Sequence, residues 1–299
     1  MHCEYVRIIA LAVSITFAVN LGEAFSATVS SPINSDAAEG LKSFQRGDFE
    51  NAVSSWSQAA RLYEREGKPA QQSNSLIYLA QAYQALGQYT AAAKNLELAL
   101  ALAEKAGDRM QSALALASLG NLHIATGPAD IAKKYLNEGL RIATDLGNTS
   151  LTATILNNLG NLATSQKQFT EAVSAYSKST ALAEASNDRA LAALALTNAA
   201  TVSIQNKQYK EAKPLLDRAL EQITPLDPSH DKAAGLVNIG LDYYDLRSVS
   251  PGSKDPLLLL AHQTFGEAGK VAESIGDRRT SSYAWGHLGK LYEEERRYE

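Results

Sequence analysis

The sequence predicts an all-α fold, a solenoid of antiparallel helix pairs repeated every 40 residues. Three observations carry that expectation. Small residues recur at a fixed period: Gly40, Ala80, Gly120, Gly160, Ala200 and Gly240. Twelve residues after each of the first five stands an alanine (Ala52, Ala92, Ala132, Ala172, Ala212), and four further on a large apolar residue (Trp56, Leu96, Leu136, Tyr176, Leu216). The apolar content is mostly Ala and Leu, strong helix formers, and β-branched runs are scarce after residue 35. A fixed period of about 20–50 residues marks stacked units, none of which can bury its apolar face alone.

The elements follow in order. Residues 1–7 carry one positive charge, 8–21 are mostly apolar, and 22–27 are rich in small residues. This is the layout of a secretory signal peptide, expected over residues 1–26, and it predicts a secreted or periplasmic protein. The apolar stretch is shorter than the roughly 20 residues of a comfortable membrane span. Residues 27–35 read as a polar linker and 36–299 as the repeat array.

Within each unit, the first helix (helix A) carries the small residue where the second (helix B) crosses it. The backbones approach closely there, and only Gly or Ala fits. The turn between the two helices is marked by Gly47, Gly87, Gly127, Lys167 and Lys207, followed in four units by an aromatic: Phe49, Tyr89, Phe169 and Tyr209. The third unit departs with Gly127-Pro128-Ala129.

Six full repeats are expected. In the sixth, Gly240 and Ala261 stand 21 residues apart instead of 12. The extra residues fall in a Ser/Pro/Gly-rich stretch near 247–256, read as a loop insertion after which helix B restarts near Pro256. Residues 281–299 hold Leu288-Gly289, Tyr292 and Tyr298, which match a seventh helix A and its turn. A truncated seventh repeat suggests a fragment of a longer protein.

These motifs resemble the tetratricopeptide repeat family. Leu79-Ala80-Gln81-Ala82-Tyr83, Gly87-Gln88-Tyr89 and Ala92 follow its helix A, turn and helix B signature, and Leu159-Gly160, Phe169 and Ala172 repeat it. The resemblance implies a right-handed superhelix. The 40-residue period is similar to that of kinesin light chain and related adaptors. The opening unit, Gly47-Asp48-Phe49 with Ala52 and Trp56, resembles the repeat portion of bacterial exported CHAT-domain proteins, which carry a caspase-like C-terminal domain. That implies an alternative: the repeat region of a larger CHAT-type cysteine peptidase. This chain could not supply the catalytic pair itself, because its only cysteine, Cys3, lies in the expected signal.

Composition and motifs exclude several functions. Hydrophobic residues make up 45% and charged residues 20%, which fits a folded soluble chain and argues against disorder. A net charge of −4 without a basic patch argues against nucleic acid. The histidines, His2, His123, His230, His262 and His287, form no metal-ligand spacing. No phosphate loop or nucleophile elbow is present. The chain therefore reads as a non-enzyme without cofactor or metal, and with no membrane contact once the signal is cleaved. Asn148-Thr149-Ser150 matches a glycosylation sequon in an inter-repeat turn.

The expected partner is a protein or an extended peptide. In such a superhelix the A helices line the concave surface. The positions two before and one after the small residue then place Asn121, Asn158, Asn161, Asn198 and Asn238 along one wall, with Asn157 beside them. A carboxamide both donates and accepts hydrogen bonds, so a row of them can pair with a peptide backbone as a strand edge would. This resembles the asparagine ladder of kinesin-light-chain-type repeats, which implies peptide binding at Asn121, Asn158, Asn161, Asn198 and Asn238, and Asn157 is expected to add a further amide to the same site. Tyr78, Leu241 and Lys290 depart from the ladder at its ends.

Overall fold

A computed structural model describes residues 32–249 and 254–295. The expected signal peptide and residues 27–31 of the expected linker lie outside the described residues. Thirteen helices follow among those described: α1 (Pro32–Gln45), α2 (Phe49–Arg65), α3 (Pro69–Ala85), α4 (Tyr89–Ala106), α5 (Arg109–Thr126), α6 (Ala129–Asp145), α7 (Thr149–Ser165), α8 (Phe169–Ala185), α9 (Arg189–Gln205), α10 (Tyr209–Ile223), α11 (His230–Val249), α12 (Lys254–Ile275) and α13 (Arg278–Glu294). Odd-numbered helices are the A helices and even-numbered ones the B helices. Each A helix from α1 to α11 packs most extensively on its own B helix, and each from α3 to α11 also meets the A helix of the next unit. The fold is the expected all-α helix-pair solenoid.

The 40-residue phase has a steric cause visible at each crossing. A Cβ added to Gly40 or Gly120 would lie 2.6 Å from Trp56 or Leu136, and one on Gly240 would lie 2.7 Å from Phe265. Gly160 stands equally close to the Tyr176 ring. The second and fifth units place Ala80 and Ala200 there, fully buried, opposite Leu96 and Leu216. Protein interiors are packed too densely to absorb a larger side chain at such a contact.

Local chemistry ends the helices where the phase requires. Asp108, Asn148, Asp188 and Asp277 accept a hydrogen bond from the backbone N–H three residues on, capping α5, α7, α9 and α13. Asn148, the sequon asparagine, is thus the N-cap of α7, its carbonyl oxygen 2.8 Å from Leu151 N. Lys167 and Lys207 take the left-handed turn position filled by glycine in the first two units, at φ 59° and 61°. Gly127 does not: its φ is −130°, and Pro128 caps α6 instead. A proline restricts the residue before it to extended backbone, which accounts for the different turn.

Two boundaries differ from expectation. Residues 32–35, expected as linker, form the first turn of α1. The insertion near 247–256 is largely helical, because α11 lengthens to 20 residues and α12 to 22. Only residues 250–253 stand between them, outside the described residues. Helix B of this unit starts at Lys254, two residues before the expected Pro256. Extending the helices satisfies backbone groups that a long loop would leave to water.

The solenoid curls until its ends meet. The Phe49 ring stands edge-on to the His230 ring, centroids 5.0 Å apart. Gly47 sits so close to Asp277 that a Cβ there would lie 2.8 Å from the carboxylate. Unit one thus touches the N-termini of α11 and α13, and α1 packs against α11.

Candidate binding surface

The A helices position the candidate asparagines. At 100° per residue, Asn157, Asn158 and Asn161 share one face of α7, whereas Leu156, Leu159 and Ala163 point roughly the opposite way, toward α8. The asparagine face is turned to the neighbouring A helices and is more enclosed than an open groove wall. Asn121 and Asn158 are only 1% and 2% exposed, Asn157 is also buried, and Asn161, Asn198 and Asn238 are half-buried.

Three of the six are brought together. Asn198 of α9 donates its Nδ2 to Asn157 Oδ1 at 3.0 Å and, more weakly, to Asn161 Oδ1 at 3.4 Å, both on α7. The Tyr176 hydroxyl donates to the same Asn161 oxygen at 2.8 Å and lies 3.0 Å from Thr164 Oγ1. Burial raises the Tyr176 hydroxyl pKa and the Thr164 bond only partly offsets this, so the phenol stays protonated and can donate. One helix pair further on, Thr201 donates to Asp242 at 2.5 Å.

Asn121 and Asn158 do not join this network. Their amide nitrogens, with that of Gln81 and the hydroxyl of Ser118, are buried and have no hydrogen-bond partner. A buried donor left unmade costs about 1–3 kcal/mol, so a stretch across α3, α5 and α7 holds unspent hydrogen-bonding capacity. Asn238 lies on α11, apart from both groups. Tyr78, at the ladder position of the second unit, stacks on Trp56 with centroids 5.3 Å apart, and burial pushes its hydroxyl up to about 12. His287, at the seventh, stacks on Phe265, and burial with Lys290 nearby lowers its pKa.

Sequence reasoning missed Tyr176, Thr164 and Asp242 as members of this surface, whereas Thr201 stands in the register one after the small residue that the sequence already places there. One signal was available: Tyr176 is the only large helix B residue in its register with a hydroxyl, where Leu, Trp or Phe serves elsewhere. A hydroxyl in an apolar register needs a partner.

A cleft of about 470 Å³ lies on the opposite side of α7, between α6 and α8, floored by Leu156, Leu159 and Ala163 and rimmed by Lys133, Glu171 and Lys178. It shares no residue with the asparagine surface. Among the described residues no cluster of His, Cys, Asp or Glu could hold a metal, and no helix is long and apolar enough to cross a membrane.

Residues 42–105 and 109–185 match the tetratricopeptide repeat family. No curated protein is similar in sequence. Among solved structures, the Rap protein complexed with competence and sporulation factor is similar at a TM-score of 0.64 and 14% identity, over 88% of this chain and 75% of that one. The apo quorum sensor NprR from B. thuringiensis is similar at 0.55 and 15%, over 91% and 80%. Aspartyl phosphate phosphatase F from Bacillus subtilis is similar at 0.59 and 10%, over 87% and 70%. At these identities the likeness is one of fold. Over residues 42–105 and 109–185 the chain is thus similar to tetratricopeptide repeats, and the described residues have the fold of a tetratricopeptide solenoid.

Proposed function

We propose that this chain is an exported binding scaffold that holds a protein partner as an extended peptide on its A-helix face. The observation that carries the reading is the set of unspent donors on three successive A helices: Gln81, Ser118, Asn121 and Asn158. Peptide carbonyls are acceptors of matching chemistry, spaced regularly along an extended chain. The Asn157–Asn198–Asn161 network marks the boundary of this stretch, because its amides already bond across α7 and α9. The donors are covered in the free chain, so peptide entry requires neighbouring A helices to part. The Rap protein, similar in fold, was solved with a bound factor, which agrees with a binding role for this architecture.

The test is capture from a peptide library by the chain lacking residues 1–26. Asn121→Leu combined with Asn158→Leu is expected to reduce capture at least about tenfold, the equivalent of 1.4 kcal/mol, with helicity by circular dichroism unchanged. Undiminished capture by the double variant overturns the reading.

A further inference from the structure

The cleft beside α7 opens where the third unit departs from the pattern of its neighbours. Between the fourth and fifth units, Phe169 and Val173 at the start of α8 pack in one cluster with Ala199 and Val202 of α9 and Leu215 of α10. Forty residues earlier, the same register positions hold Ala129, Lys133, Leu159, Leu162 and Ala175. The last four of these line the cleft, and Ala129 offers only a methyl group where the ring would stand. The groove between the third and fourth units therefore lacks an aromatic ring and a branched aliphatic side chain that fill its counterpart. Its apolar floor is retained, and Leu156 and Leu159 are only half-buried there.

The rim carries charge that the fold does not use. Lys133 on α6 and Lys178 on α8 are exposed on two walls of the cleft. Among the described residues neither ammonium is ion-paired. Glu171 stands on the same rim, so two positive charges face one negative. A lysine keeps its charged head in water while its stem lies along apolar surface, so Lys133 does not plug the gap as a valine does.

The filled counterpart and the rim together define the occupant. We propose that the cleft between α6 and α8 binds a small aromatic carboxylate. Its ring lies on Leu156, Leu159 and Leu162, in the place that Phe169 takes one unit later, and its carboxylate turns to Lys133 and Lys178. The volume of about 470 Å³ falls in the range of small-molecule sites and exceeds a single ring, so a bicyclic body fits. Removing the ring from water drives binding, and the two ammoniums select for an anion. The proposal does not depend on the peptide reading above, because the cleft shares no residue with the asparagine surface.

The probe is 2-naphthylacetate, titrated into the full chain and followed by calorimetry. Saturable binding with a Kd below about 1 mM is expected. Ala129→Phe combined with Lys133→Val rebuilds the contact of the fourth unit and should abolish binding. Filling the gap should leave the unfolding midpoint unchanged or higher. Lys133→Gln combined with Lys178→Gln should weaken binding at least about threefold. The same pair should leave the weaker binding of 2-naphthaleneethanol, the uncharged analogue, unchanged. Absence of saturable binding, equal binding to the rebuilt variant, or equal affinity for acid and alcohol overturns the proposal. Two other occupants have their own signatures, and either overturns it as well. A dimer in sedimentation equilibrium that the rebuilt variant dissociates makes the occupant a second copy. Probe binding that appears only after residues 1–31 are removed makes it the chain's own N-terminal segment.

Discussion

Gly160 and Gly289 hold the same register position in their units, yet their substitutions should act in opposite directions. Gly160 lies against the Tyr176 ring, whereas Gly289 faces open space. Gly160→Ala forces the ring or the helix to shift and should destabilise by about 1–3 kcal/mol. Gly289→Ala removes backbone entropy from the unfolded chain at no steric cost and should stabilise by about 0.5–1 kcal/mol. Urea unfolding of the two variants checks the pair, and equal signs would refute the steric account. The asparagines show the same dependence on surroundings. Asn158 and Asn198 share a register in the sequence, but one has an idle buried amide and the other bonds across two helices. Residue type and spacing identified both, while their different roles depend on what the adjacent helix places opposite.

At the scale of elements, the turns separate what phase dictates from what composition dictates. Lys167 and Lys207 occupy left-handed backbone at φ 59° and 61° because the 40-residue period requires a tight turn there. A side chain in that region costs about 1–2 kcal/mol relative to glycine. Lys167→Gly should therefore raise stability, by up to about 1 kcal/mol once the added freedom of the unfolded chain is counted. Thermal or urea unfolding measures it, and a loss of stability would mean that the lysine contributes a contact outweighing the strain. The sixth unit shows the converse case. Its Ser/Pro/Gly-rich stretch reads locally as loop, but packing between α11 and α12 extends helix into it from both ends.

On the scale of the whole molecule, the first unit meets the sixth and seventh beside a titratable contact between those two units. His230 Nδ1 lies 2.6 Å from Asp277 Oδ2, and Thr280 N donates to Asp277 Oδ1 at 3.0 Å. Burial works to raise the Asp277 carboxyl, but the bonds from His230 and Thr280 outweigh it and leave the group below its ordinary 3.8. A carboxyl depressed on folding contributes stability above its unfolded value and loses it as pH falls through the folded one. The stability gap between the parent chain and Asp277→Asn should therefore shrink as the pH falls below 3.8. Urea midpoints of both chains across that range test this, and a gap that stays constant down to about pH 2 would show that the carboxylate charge has no part in this contact.

The helix-pair solenoid, its 40-residue phase, the Gly or Ala crossings and the row of A-helix carboxamides were all legible in the sequence. They follow from local periodicity and side-chain volume, which each unit expresses on its own. Which amides remain idle, how far helix invades the insertion, where the ends of the superhelix meet and which groove between units stays open were decided by the tertiary structure. These depend on contacts between residues distant in the chain, Phe49 with His230 at the closure among them, whose geometry is set by the accumulated curvature of the whole stack.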